Sequence, residues 1–127
     1  MGNFLISTAV VILVGGALAA QTSIDNIKSI PVMLYPDTDH GTCSIGLQVN
    51  AGGAELRSGP GVGFPVIATL EAGHVVSGCD EQNGWDGIID GQDDACSVGI
   101  SVASERPYVG PCDSGWIDQN FLTSIYG

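Results

Sequence analysis

Between Ile45 and Asp118 every β-prone run is short and stops within a few residues at Gly, Pro, Asn or Asp. No amphipathic stretch there is long enough for a substantial helix, so the chain has to build its core from strands, and the spacing predicts an all-β fold. Strands are predicted near 45–50, 54–57, 65–70, 74–79, 85–89, 97–102 and 114–118, with Phe121-Leu122 closing a final short turn against the core.

The breaks carry specific turn chemistry. Gly59, Gly61 and Gly63 tolerate backbone angles that a side chain would penalise, and Pro60 fixes one torsion between them. Gln82-Asn83-Gly84 contains the Asn-Gly pair typical of a tight hairpin and delivers Trp85 onto the next strand. Upstream, residues 21–42 read as an N-terminal extension or linker. Ile24, Ile27 and Ile30 recur at three-residue spacing, Pro31 stops any helix there, and Val32-Met33-Leu34-Tyr35 runs into the turn-like Pro36-Asp37-Thr38-Asp39-His40-Gly41.

Residues 1–20 contain no charged side chain, are apolar from Phe4 through Val14 and finish in Ala17-Leu18-Ala19-Ala20. This fits a signal peptide cleaved after Ala19 or Ala20, which places the mature protein in the periplasm or outside the cell; retention as an uncleaved anchor is the other reading of the same segment. All four cysteines, Cys43, Cys79, Cys96 and Cys112, lie beyond it, and an even count in a short exported chain argues for two disulfides rather than zinc, since no C-x-x-C pair is present. Three pairings are open, and strand order favours Cys43 with Cys79 and Cys96 with Cys112. Each bridge is expected to stabilise a small core by roughly 3 to 4 kcal/mol.

Fourteen acidic residues oppose three basic ones, a net charge of −11. Phosphate-rich partners are repelled at that charge, so neither nucleic acid nor, after signal cleavage, a membrane surface is expected as a partner.

Four blocks occur in order along the chain: Glu55-Leu56-Arg57-Ser58-Gly59-Pro60-Gly61-Val62-Gly63-Phe64-Pro65-Val66-Ile67, then Leu70-Glu71-Ala72-Gly73 before Val75-Val76, then Asn83-Gly84-Trp85, and finally Ser114-Gly115-Trp116-Ile117-Asp118-Gln119-Asn120-Phe121-Leu122. Together they resemble the bacterial SH3 (SH3b) domain family over about residues 46 to 123. The resemblance implies a small SH3-like barrel over residues 43–127 and a role in binding rather than catalysis. The chain departs from the family's pattern between Trp85 and Trp116. There it inserts Asp90-Gly91-Gln92-Asp93-Asp94, the Val98/Ile100/Val102 alternation and Glu105-Arg106-Pro107-Tyr108-Val109-Gly110-Pro111, a loop insertion flanked and stapled by Cys96 and Cys112. Such a loop either carries binding specificity or protects an edge strand.

Candidate ligand-binding residues are Arg57, Trp85, Tyr108 and Trp116. SH3-type grooves receive extended ligands on aromatic surfaces, and the three aromatic residues offer one. Packing is the competing role for Trp85 and Trp116, which both follow Gly at strand starts, whereas Tyr108 is the better exposed candidate beside Pro107 and Gly110-Pro111. Arg57 is expected to serve its own turn first, because a guanidinium binds several carbonyl oxygens or a carboxylate at once. Arg106 in the loop insertion is free to meet an acidic partner.

No nucleophile with a matching base is visible, and His40 and His74 read as ordinary surface histidines. Asp37 with Asp39, and Asp90 with Asp93 and Asp94, read as solvated turns, since neither follows the calcium-loop pattern. The expectation is therefore a monomeric, non-catalytic binding module of the bacterial cell envelope, without cofactor or metal, engaging peptidoglycan-derived or other extended peptides. The alternative is an acidic interaction or inhibitor module that recognises a cationic envelope or secreted protein.

Overall fold

The computed structural model describes residues 28–36, 43–91, 93–98 and 102–127, with the side chains of Asp93 and Asp94 left aside. The predicted signal segment 1–20, His40 and the Asp37/Asp39 turn lie outside the described residues. Among the described residues, nine strands follow in order: β1 (Met33–Leu34), β2 (Ile45–Val49), β3 (Ala54–Arg57), β4 (Val66–Leu70), β5 (Val75–Gln82), β6 (Trp85–Asp90), β7 (Arg106–Pro107), β8 (Asp113–Asp118) and β9 (Leu122–Tyr126). A one-turn helix, α1 (Asp93–Cys96), precedes the loop insertion, and a 3₁₀ turn, η1 (Gln119–Phe121), precedes β9. The fold is all-β.

Seven strands form one antiparallel sheet in the order β4-β3-β8-β6-β5-β2-β9, while β1 and β7 pair separately. β4 and β9 are the two edges and do not pair, so the sheet is open. It curls enough for Leu47, Val49, Leu56, Leu70, Val76, Ile88 and Ile117 to meet in one buried cluster. The β5–β6 hairpin turns on Asn83 (φ 52°) and Gly84 (φ 85°), with Gln82 opposite Trp85. Two positive φ values at the centre of a two-residue loop are the geometry that Asn-Gly suits best.

The other face of the sheet is covered as well. Ile88 and Ile89 are adjacent on β6, and both are completely buried; Trp116 and Ile117 repeat this on β8. Successive side chains of a strand point to opposite faces, so these pairs require a second layer behind the sheet. Residues 28–36 and the loop insertion supply it. Leu34, Cys43, Ile89, Cys96, Val98 and Val102 form a second buried cluster, with Cys79, Tyr108 and Cys112 packed against it. The disulfides Cys43–Cys79 and Cys96–Cys112, the pairing that strand order favours, both lie in this layer. They fit an oxidising compartment of the kind an exported protein meets.

Two expectations change. The predicted 97–102 strand is not seen at its described residues: Ser97, Val98 and Val102 are irregular, and 99–101 lie outside the described residues. β6, the strand that leads into this segment, already has β5 and β8 as its two neighbours, so no edge is open beside it, and Val98 and Val102 serve the second cluster instead. Phe121-Leu122 does not end the structure either. η1 leads into β9, which pairs with β2 from Leu122 to Tyr126. The packed unit also extends upstream of Cys43, because Val32 and Leu34 are buried and Ile30 N–H donates to the Ser58 carbonyl at 2.8 Å.

Candidate functional site

Of the four predicted ligand-binding residues, Trp85 alone keeps its side chain at an open groove without a structural bond that accounts for it. Trp116 is 0% exposed, and its indole N–H donates to the Ile30 carbonyl at 2.8 Å. Its slot is cut by Gly87, where a Cβ would stand 3.2 Å from the Trp116 ring and 3.1 Å from Val32. Residues 30–32 thus seal the ring, which corrects its place among ligand-binding candidates.

Tyr108 carries a structural task of its own. Its hydroxyl donates to the Cys96 carbonyl at 2.8 Å and accepts the Cys112 N–H at 3.1 Å, so the phenol ties together the two ends of the Cys96–Cys112 bridge. The ring packs on the second cluster. Among the described residues of this loop, Val109 is the exposed large apolar side chain.

Arg57 performs the turn role. Its Nη1 donates to the carbonyls of Val62 (3.2 Å) and Phe64 (2.9 Å), and its Nη2 meets Glu55 Oε1 at 3.1 Å. The guanidinium therefore fixes the 58–65 loop, with only a flank left to line a groove.

That groove, about 460 Å³, lies where the 58–65 loop, the start of β6 and η1 converge. Arg57, Val62, Trp85 and Phe121 form much of its lining, with Glu55, Thr69 and Asp118 supplying polar groups. Val62 is 78% exposed and Phe121 47%, so the apolar wall is open to solvent. Phe121 is placed by its neighbours: Asp118 Oδ1 caps η1 through the Asn120 N–H at 2.9 Å, and Asn50 N–H donates to the Phe121 carbonyl at 2.9 Å. The signal for Phe121 lay in the same sequence block as Trp116, but nothing in the linear sequence said that an Asp-capped turn would project it beside Trp85.

A second groove, about 680 Å³, opens at the other side of this junction. Tyr35, Ile45 and Leu122 give it apolar walls, and Asp80, Glu81 and Asp86 give it carboxylates. Burial, the largest influence, and the nearby Glu81 charge push the Asp86 carboxyl above its usual range, while the hydrogen bond from Gln119 Nε2 (3.0 Å) pulls it down. The Tyr35 phenol is likewise raised, by burial first and then by the charges of Asp80 and Glu105 and a hydrogen bond to Asp80. Sequence reasoning missed this site because β2, β5, β6 and the C-terminal turn meet only through the sheet order.

His74 Nε2 lies 2.7 Å from Asp90 Oδ1 on the surface, an ion pair whenever the imidazole is protonated. Among the described residues, no three His, Cys, Asp or Glu side chains converge to hold a metal, and no helix is long and apolar enough to cross a membrane. Compared with known proteins, the chain matches no protein-family model, no curated protein and no solved structure.

Proposed function

We propose that the protein is an exported, non-catalytic SH3-like binding module of the bacterial cell envelope, whose Trp85–Phe121 groove receives an extended peptide such as a peptidoglycan stem peptide. The observation that carries this reading is the pairing of two partly exposed aromatic side chains with Val62 in a preformed groove, beside the exposed backbone edge of β4. A rigid aromatic wall supplies contact area at little entropic cost, and adjacent polar groups orient the backbone of an extended ligand. The ordered sequence blocks favour the SH3-like assignment. The apolar leader and the two disulfides favour export.

Intrinsic fluorescence tests it. The chain has two tryptophans, and Trp116 is sealed, so a soluble muropeptide that enters the groove is expected to change Trp85 emission saturably. Trp85→Phe should abolish the change, and Phe121→Ala should weaken binding by about tenfold, the usual cost of truncating an aromatic anchor. An emission change that survives Trp85→Phe rules the groove out.

A second reading, recognition of a cationic protein, is favoured by the net charge of −11. Its signature is binding that falls steeply with added salt.

A further inference from the structure

The second groove carries a feature that the first lacks. Asp80, Glu81 and Asp86 line it from β5 and β6, while Tyr35, Ile45 and Leu122 form apolar walls. None of Lys28, Arg57 or Arg106 lines it. Asp80 is committed to the fold, since its carboxylate accepts the backbone N–H groups of Met33 at 3.0 Å and Glu81 at 2.7 Å. Asp86 uses Oδ1 for Gln119. The groove thus combines negative charge with a half-exposed tyrosine ring and aliphatic walls.

A group that satisfies both the carboxylates and the apolar walls has to be cationic at its tip and apolar along its stem. A guanidinium does so in three ways: it forks to carboxylate oxygens, stacks on an aromatic face and carries a three-carbon stem for the aliphatic wall. We propose that this groove is the docking site for an arginine side chain of a basic polypeptide partner, with Glu81 and Asp86 as the recognising carboxylates. The proposal rests on the cationic-partner reading, gives that reading a place on the molecule, and is independent of the Trp85 groove.

The test is a two-dimensional amide NMR titration of the oxidised full chain with the peptide acetyl-Gly-Arg-Gly-Arg-Gly-amide, and with the same peptide carrying citrulline in place of arginine. Saturable shifts are expected at Ile45, Gly78, Gln119 and Ser124, with affinity falling about tenfold in Glu81→Gln/Asp86→Asn and by about twofold or less in the Glu71→Gln control. Equal binding of the citrulline peptide to the native chain overturns the proposal without depending on any variant's folding. Salt-sensitive shifts that spread over the acidic surface and fall alike in both variants overturn this groove while leaving a cationic partner in place. No shift at low salt overturns both.

Discussion

Strands β6 and β8 are buried on both faces, and the two faces are built on different terms. The inner face is closed by other strands of the same sheet, through Leu47, Val49, Leu56, Val76, Ile88 and Ile117. The outer face is closed by pieces of chain that lie outside the seven-stranded sheet: residues 28–36 over Trp116, and the loop insertion over Ile89, held by the Cys96–Cys112 bridge. The first core is a property of the sheet and should be lost only with it. The second is a cover, which should be removable in parts.

Truncations on the two faces test that difference most strongly. Trp116→Ala is expected to cost about 4 kcal/mol and Ile88→Ala about 3 kcal/mol, the range for emptying fully buried sites of these sizes. The costs are similar but the patterns should not be. Hydrogen exchange should rise first at Ile30 and Tyr108 in Trp116→Ala, whose cover loses its anchor, and across the sheet in Ile88→Ala. Identical exchange patterns would break the comparison.

Removing the bridge with Cys96→Ala/Cys112→Ala is expected to cost about 3 kcal/mol on the chain-entropy estimate for this loop length. Chemical denaturation should read that loss, while amides of β2 and β5 keep most of their protection relative to residues 105–112. Tyr108→Phe sharpens the same point. It keeps the ring but removes bonds to Cys96 and Cys112, so a loss of about 1 to 2 kcal/mol in urea is expected, with exchange rising at Cys112.

The smallest effect is electrostatic and sits on the inner side. Because burial raises the Asp86 carboxyl, the folded chain retains this proton at pH values where the unfolded chain has released it. That contribution to stability is complete below the ordinary carboxylate range and is lost as pH rises through the raised value. Asp86→Asn is therefore expected to stabilise the protein at neutral pH, by less than about 1 kcal/mol given the partial solvent exposure, with the gain disappearing in acid. A gain that persists at low pH would point to packing rather than charge.

The same division runs through what the sequence disclosed. Alternating runs and turn chemistry locate the strands of the inner core to within one residue at every boundary except the end of β5, which runs three residues past the predicted 79 to Gln82: Asn83-Gly84 marks the β5–β6 hairpin, and Leu47, Val49 and Leu56 fall on one face because strand geometry leaves no choice. The outer cover was not legible, since Val98 and Val102 alternate like strand residues yet have no free edge to join. β9 was overlooked because one short, mostly exposed run, Leu122 to Tyr126, has little apolar periodicity. In the candidate site, Trp85 was identifiable from its turn, whereas Phe121 needed the Asp118 cap, and the roles of Tyr108 and Trp116 needed partners distant in sequence. Tryptophan and tyrosine look alike in a linear sequence whether they bind a ligand or seal a layer.

The central functional claim is that the Trp85–Phe121 groove is the one the ligand enters. The most direct measurement is a two-dimensional NMR titration of the oxidised full chain with soluble muropeptides at low and moderate salt, following backbone amides and both indole N–H signals. Saturable shifts at the Trp85 indole, Val62 and Phe121 that persist in moderate salt, with the Trp116 indole unmoved, are the predicted result. An unmoved Trp85 indole at millimolar muropeptide would contradict it.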